Sequence, residues 1–244
     1  MLASFRFCNL LLLSIASSSF HEANKNALAA CDQRGSLVIA VECPTSKSIV
    51  VGRISRQKNP GSLVRHLPSQ LSPLFLSDDL NSDRNCHVLL SGFAPDGVHL
   101  VNRLRQHVRN EWIKYDTCPD VVKIADCLAS SGMLGLSTLD VNDELLGESD
   151  LYSRGRGRPL GVRVLLLQNC GGIYEVNPSG GVTKWRAKAI GQHSRRANEL
   201  LNEKYNPDSI TTTLAKELCT SVFEDILSDS QEEVKVIFDV LDQI

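Results

Sequence analysis

Residues 157–191 carry the clearest structural pattern in this 244-residue chain, and they read GRPLGVRVLLLQNCGGIYEVNPSGGVTKWRAKAIG. A mostly apolar run at 162–168 predicts a buried strand, because β-branched and long aliphatic residues suit a covered sheet. Two shorter runs, 173–176 and 182–188, predict its hairpin partners. This stretch therefore predicts consecutive antiparallel strands.

Glycine and proline punctuate the same stretch. Turns are predicted at Gly171–Gly172 and at 177–181, where proline sets φ and glycine accepts a positive φ. Gly161 and Gly191 flank the strands, and we expect each to let a neighbouring backbone approach closely. These residues predict a scaffold and bind nothing by themselves.

Further elements extend outward from this stretch. Two apolar runs, 37–41 and 49–51, predict a buried hairpin because the turn-forming residues 44–48 join them. Periodicity and first-turn Pro-Asp pairs predict helices from Pro95 to Tyr115 and from Pro119 onward. The remaining predicted elements are a short helix at 27–30, a strand at 86–90, helices at 193–204 and 209–227, and a strand at 234–240.

Two segments lack such periodicity. Residues 57–85 contain several prolines and predict a loop-rich, irregular region. Residues 131–156 form a long polar connection that we expect at the surface.

The order of elements predicts the fold class. Strands come in blocks and helices in pairs, which favours an α/β (α+β) protein with two sheets packed on each other and helices outside. Repeated βα alternation, typical of nucleotide-binding parallel sheets, is absent from the predicted order.

Four motifs in this order resemble a known family. They are Ala27–Ala30 followed by Arg34-Gly35-Ser36, Ser91-Gly92-x-x-Pro95-Asp96, Arg158-Pro159-Leu160-Gly161-Val162, and Asn177-Pro178-Ser179-Gly180 with Trp185-x-Ala187-x-Ala189-Ile190-Gly191. Over about residues 27–240 the chain resembles a 20S proteasome α-type subunit. The resemblance implies a four-layer αββα sandwich of the N-terminal-nucleophile hydrolase type, as a single domain over 27–244 with a surface insertion at about 131–156.

The resemblance also implies a function without catalysis in this chain. Catalytic β subunits of the family use an N-terminal threonine activated by its free amine or a nearby lysine. Here the first strand begins Arg34-Gly35-Ser36-Leu37, and no Gly-Thr junction precedes it. Thr211-Thr212-Thr213 lies near a helix start, where hydroxyl capping accounts for it. We therefore predict no catalytic residue.

Other site types are not favoured either. Ser36, Ser91 and Ser179 lack a nucleophile-elbow motif, although Ser36 leaves open an independent hydrolase with a serine at the first strand. His99 and His107 are predicted to be exposed, with no metal role. Arg154-x-Arg156-x-Arg158 predicts a solvated or paired surface rather than a phosphate site. We expect no cofactor and no metal.

Composition and charge agree with a globular protein that binds no nucleic acid. The hydrophobic fraction is 42%, the charged fraction 22% and the formal charge −2. The eight cysteines contain no C-x-x-C pair, so reduced and mostly buried thiols are expected. No internal stretch is apolar enough to predict a membrane span.

The N-terminus leaves the compartment open. Residues 1–20 form a signal-like or disordered segment, because an apolar run at 7–16 follows Arg6 and ends at small residues. The alternatives are an apolar element folded into an assembly and a misassigned start. Cytoplasmic and nuclear localisation is implied by the resemblance, and endomembrane or organelle targeting is the alternative.

The leading hypothesis is a non-catalytic α-type subunit of the 20S core. The resemblance implies other α subunits and β subunits as partners, with regulatory particles as further partners, in support of ubiquitin-dependent protein breakdown. Trp112 and Trp185 are expected to serve subunit contacts if they are exposed. The alternative is a proteasome-like paralogue outside the standard particle.

Three departures favour a divergent member. The family's Tyr-Asp-Arg-type tail has no match, no C-terminal helix follows the last predicted strand, and Lys58 is the only lysine between residues 57 and 113 where a lysine that receives activators is expected.

Overall fold

The computed structural model describes the main elements of the chain. Described residues are 22, 25–29, 31–33, 35–56, 71–75, 85–117, 119–130, 159–168, 172–176, 181–228 and 234–241. The predicted signal-like segment 1–20, the insertion 131–156, the turn at 177–180 and Lys58 lie outside these residues. The helical residues 25–29 and 31–33 precede the first strand and are called here the N-terminal helical segment.

Nine strands and four longer helices follow within the described residues. The strands are β1 (Val38–Cys43), β2 (Ser48–Arg56), β3 (Leu71–Phe75), β4 (Cys86–Gly92), β5 (Val162–Gln168), β6 (Gly172–Val176), β7 (Val182–Trp185), β8 (Ala187–Ile190) and β9 (Val234–Leu241). The helices are α1 (Ala94–Tyr115), α2 (Val121–Ser130), α3 (Ser194–Lys204) and α4 (Thr212–Leu227).

The strands form two antiparallel sheets. The first sheet has the order β8-β1-β2-β9, and the second has the order β3-β4-β5-β6-β7. The predicted hairpin between β1 and β2 is confirmed, with Val41 opposite Val50. The predicted strand at 86–90 is also confirmed and pairs with β5 over its whole length.

Three apolar clusters fix the order of the layers. One cluster joins α1 and α2 to the second sheet, and another joins α3 and α4 to the first sheet. The third contains only strand residues from both sheets, including Val38, Ile49 and Leu165. The layers are therefore helix, sheet, sheet and helix, which confirms the predicted αββα sandwich.

Strand β5 shows why its sequence is apolar throughout. Val162, Val164 and Leu166 belong to the cluster beneath the helices, whereas Leu165 and Leu167 lie between the sheets. A central strand covered on both faces needs apolar residues at consecutive positions. Arg163 is the exception, on the face between the sheets.

Two sequence predictions were wrong. Residues 71–75 form edge strand β3, although they fall in the segment predicted to be irregular. The single strand predicted at 182–188 is two strands, because the chain bends at Arg186 and passes from the second sheet into the first. Among the described helices, none is long and apolar enough to cross a membrane.

Candidate functional site: the start of the first strand

The family resemblance implies that a catalytic subunit would carry its nucleophile at the start of β1. In this chain the backbone groups at that position are hydrogen-bonded to neighbouring segments. The amide of Gly35 donates to the carbonyl of Cys31 at 2.8 Å, which continues the N-terminal helical segment up to the strand. The carbonyl of Gly35 accepts from the amide of Gln192 at 2.8 Å. Ser36 follows directly, so its nitrogen is part of a peptide bond and carries no free amine.

Ser91, on the second sheet, contacts the backbone at the start of β1. Its hydroxyl donates to the carbonyl oxygen of Ser36 at 2.7 Å, and the residue is 2% exposed. The Ser36 side chain itself is exposed. The hydroxyl of Ser91 therefore serves as a structural bond between the two sheets at this end.

Glycines make this close approach possible. Gly191 has φ +99°, and a Cβ there would collide with the carbonyl of Ser36 and lie 2.5 Å from the hydroxyl of Ser91. A Cβ on Gly35 would collide with the same hydroxyl. The prediction for Gly191 is therefore confirmed. We call the group formed by Gly35, Ser36, Ser91, Gly92 and Gly191 the strand junction.

The prediction that Gly161 must be glycine to allow a close backbone approach was wrong. A Cβ on Gly161 would lie 3.6 Å from its nearest neighbour, which is ordinary contact. The crowded partner is Gly92, whose φ is +135° and whose Cβ would collide with the Gly161 carbonyl. That carbonyl accepts from Phe93 at 2.8 Å, and the Gly161 amide donates to buried Asp96 at 2.9 Å.

A partly buried charge cluster lies beside the strand junction, because Arg163 stands opposite Ser91 on the neighbouring strand. Two nitrogens of Arg163 donate to the carboxylate of Asp32 at 2.8 and 3.0 Å. A third reaches Glu175 at 3.3 Å. Glu175 also binds the Lys188 amine at 3.0 Å and the Trp185 indole nitrogen at 3.0 Å. These five residues are called here the charge cluster.

The charges of the cluster balance within it. Two cations meet two carboxylates, and the Lys188 amine also lies 3.7 Å from the centroid of the Trp185 ring. Burial alone lowers the pKa of Arg163, but the hydrogen bonds and charge of Asp32, with the charge of Glu175, outweigh it and raise that pKa. Arg163 therefore stays cationic and holds Asp32, at the end of the N-terminal helical segment, against the sandwich.

The polar groups at this end of the sandwich form structural bonds. Ser91 bonds a backbone carbonyl, and the charged groups of the cluster bond one another. Cys31, the buried thiol nearest to them in sequence, has its pKa raised to about 12 by burial, against the opposing effect of Arg163. At neutral pH it is a protonated thiol and no nucleophile.

Comparisons with known proteins agree with this geometry. The family described as "Proteasome subunit" matches residues 147–237, which contain β5 to β8, α3, α4 and the first half of β9. A protein named proteasome subunit alpha type-5 in Trypanosoma brucei brucei is 25% identical over 180 residues, which cover 71% of this chain and 69% of that protein. These comparisons support a likeness to divergent proteasome α-type subunits.

Other relatives carry the same name. The proteasome subunit alpha type-5 of Caenorhabditis elegans is 26% identical over 78% of this chain and 75% of its own length. That of Drosophila melanogaster is 26% identical over 63% of this chain and 60% of its own length. The proteasome-type likeness therefore reaches well beyond the segment that the family match covers.

Thr211, Thr212 and Thr213 lie at the start of α4, away from the strand junction. Thr211 is the N-cap of α4, and its hydroxyl accepts from the amide of Leu214 at 3.4 Å. The hydroxyl capping expected for this segment is therefore confirmed at Thr211. Ser179, Arg154, Arg156 and Arg158 lie outside the described residues.

Replacing Thr211 by alanine tests the capping role. We expect a loss of about 1 kcal/mol in the free energy of unfolding, because α4 loses a side-chain partner for one of its first amides. Thr213→Ala is the matched control, since Thr213 is exposed within the first turn and alanine favours the helix. Urea unfolding of both variants measures the difference, and equal midpoints would contradict the assignment.

The predicted exposure of two histidines was wrong. His99 and His107 are half-buried rather than exposed, because they lie at the edge of the stripe formed by Leu100 and Val108. Among the described residues no group of three potential ligands could hold a metal ion. His107 instead contacts Cys127 on α2.

The two tryptophans have different environments. Trp112 is 44% exposed near the end of α1, whereas Trp185 is half-buried and belongs to the charge cluster. The sequence analysis did not predict the charge cluster. The signal was Arg163, a lone charge inside an otherwise apolar strand, because a charge at such a position needs a buried partner.

Proposed function

We propose that the chain is a non-catalytic α-type subunit of a 20S proteasome core, built as a single domain over 27–244. In this role it packs beside other α subunits in the outer ring and lies against β subunits. Proteolysis, including ubiquitin-dependent breakdown, is then carried out by the partner β subunits. The likeness to the alpha type-5 proteins supports the assignment to the core.

The strand junction is the observation that carries the non-catalytic part of this proposal. A nucleophile of the N-terminal type needs a free α-amine or a close base beside its hydroxyl. Ser36 is held through its backbone by Ser91, and the chain before it continues into the N-terminal helical segment. Arg163 also donates a hydrogen bond to Asp32 and so holds that segment in place. This contact supports the proposal that the chain continues through Ser36 without a free α-amine.

The exposed end of α1 supports contacts with other subunits. Trp112, Ile113 and Tyr115 are 44%, 66% and 66% exposed, although each is a large apolar or aromatic side chain. Tryptophan and tyrosine are enriched at the centres of protein interfaces. The partners proposed for this surface are neighbouring subunits of the core. Regulatory particles are proposed as further partners of the assembly, and its location is proposed to be the cytoplasm and nucleus.

Replacing Ser36 by alanine tests the absence of catalysis. Particles that contain Ser36→Ala are expected to cleave fluorogenic peptides at the wild-type rate, because the hydroxyl of Ser36 takes no part in the chemistry. The purified chain is also expected to resist a serine-directed acyl-phosphonate probe. Loss of one peptidase activity in the variant, or labelling that depends on Ser36, would support the hydrolase alternative instead.

A paralogue outside the particle is the second candidate, favoured by the apolar run at 7–16 after Arg6. Such a run has the length of a signal-peptide core. Sequencing the mature N-terminus separates the two: a start near Ser17 to His21 means cleavage and targeting. A mature chain that keeps residues 1–20, found in the cytoplasm, contradicts this candidate.

A further inference from the structure

His87 places an imidazole between the two sheets. Side chains alternate between the two faces of a strand, and Leu89, two residues further along β4, belongs to the cluster between the sheets. Cys86 and Val88 belong instead to the cluster beneath α1 and α2. His87 therefore interrupts an apolar layer at the start of β4.

The imidazole of His87 has a nitrogen without a hydrogen bond. Its Nδ1 atom is shielded from solvent and has no partner among the described residues. A neutral imidazole carries a proton on one nitrogen only, whereas the cation carries a proton on both. The cation therefore holds an unpaired N–H at Nδ1, whichever tautomer the neutral ring adopts. A charged ring with an unpaired N–H costs more to bury than a neutral ring, so the folded state favours the neutral form.

Charged side chains on the facing strands do not offset this cost. By the same alternation, the described charged side chains on the strand faces between the sheets are those of Glu42, Arg53, Arg163, Glu175, Lys188 and Asp239. Arg53 pairs with Asp239 at 2.9 Å, and a Cβ on Gly172 would lie 3.7 Å from the Glu42 carboxylate. The other three belong to the charge cluster. Burial lowers the pKa of His87, with no contribution from any described charged side chain.

The edge strand β3 lies directly beside this imidazole, because Pro73 stands opposite His87 in the register of β3 and β4. Proline has no amide hydrogen, and the register shifts between Pro73 and Phe75, so the pairing is interrupted next to the imidazole. The carbonyl of Pro73 accepts from Nε of Arg105 on α1 at 3.0 Å in an exposed contact. Since β3 pairs on one side only, its separation breaks fewer hydrogen bonds than that of a central strand.

We propose that His87 is an acid-sensitive switch that releases β3 from the second sheet when the imidazole is protonated. Separation of β3 opens the edge of the layer between the sheets and gives the charged ring water as a hydrogen-bond partner. The released form has the ordinary imidazole pKa of about 6.5, and the closed form a lower one. The closed form is therefore favoured above about pH 6.5 and loses stability as the pH falls below that value. This inference does not depend on the proposed function.

Hydrogen exchange of the full chain at pH 7.5 and pH 5.0, corrected for the intrinsic effect of pH on exchange, tests the release. Peptides that contain β3 report it, and peptides from β5 report the centre of the same sheet. We expect the protection of β3 to fall by up to about 30-fold at pH 5.0, the largest shift that one imidazole with a pKa of about 6.5 can cause over this range. Protection of β5 is expected to stay. No loss in β3, or an equal loss in both strands, would overturn the proposal.

His87→Leu removes the titrating group and keeps an apolar side chain between the sheets, with His87→Gln as a second variant should the first fail to fold. We expect β3 in this variant to have the same protection at both pH values. His193→Asn is the matched control, since His193 is exposed and asparagine tolerates its φ of +60°. This control is expected to keep the wild-type loss at pH 5.0. A loss in folded His87→Leu as large as that of the wild type would contradict the role of His87.

Discussion

Replacing Gly92 by alanine is expected to lower the free energy of unfolding by about 3 kcal/mol or more, or to prevent folding. Gly92 has φ +135°, a region that alanine rarely adopts, and its Cβ would collide with the carbonyl of Gly161. That carbonyl is already fixed by a 2.8 Å hydrogen bond from Phe93. Neither the strain nor the collision can be relieved without moving β4 away from the start of β5.

Gly161→Ala is the matched control, since it adds the same methyl group on the other side of the same contact. Its Cβ would lie 3.6 Å from Phe93 and 3.7 Å from the Asp96 carboxylate, which is ordinary van der Waals contact. We expect its free energy of unfolding to stay within about 1 kcal/mol of the wild type. Equal stability of the two variants in urea titrations would contradict the steric demand assigned to Gly92.

Replacing Glu175 by leucine is expected to cost about 3 kcal/mol of the free energy of unfolding. The Glu175 side chain is 6% exposed and accepts from Arg163, Lys188 and Trp185. Removing one member of a buried ion pair leaves the other charge without compensation, and this costs about 3–5 kcal/mol. Lys188 is the residue most affected, because its side chain is only 15% exposed.

Asp32→Ala gives the comparison for this second prediction. Its carboxylate is 43% exposed, and Arg163 keeps Glu175 when Asp32 is removed. We expect a cost of about 1 kcal/mol or less, since solvent screens exposed ion pairs. The two losses are measured by urea unfolding under the same conditions. A larger loss for Asp32→Ala than for Glu175→Leu would contradict the assignment of Glu175 as the centre of the charge cluster.

Local patterns predicted most of the secondary structure. Strand β5 was found because its residues form a nearly continuous apolar run, and helix α1 because its apolar residues recur every three or four positions. Strand β3 was missed because Pro73 interrupts its sequence, and proline is tolerated there since β3 is an edge strand. The bend at Arg186 was missed because no glycine or proline between Val182 and Ile190 marks where the chain changes sheets.

The candidate site was predictable only in part. The glycines of the strand junction were found as motif residues, but local turn chemistry could not tell that Gly92 rather than Gly161 carries the steric demand. The charge cluster joins Asp32 to Arg163, 131 residues later, and no local pattern links two such positions. The strand junction is the basis of the proposed scaffold role, and the relatives' names are the basis of the proposed place in a proteolytic particle.

Native mass spectrometry of particles purified through a tag on this chain tests that role most directly. The account predicts one complex on the order of 700 kDa, the size implied by stacked rings of such subunits, in which this chain lies beside other α subunits and catalytic β subunits. Recovery of the chain only as a free monomer, without β subunits, would contradict it.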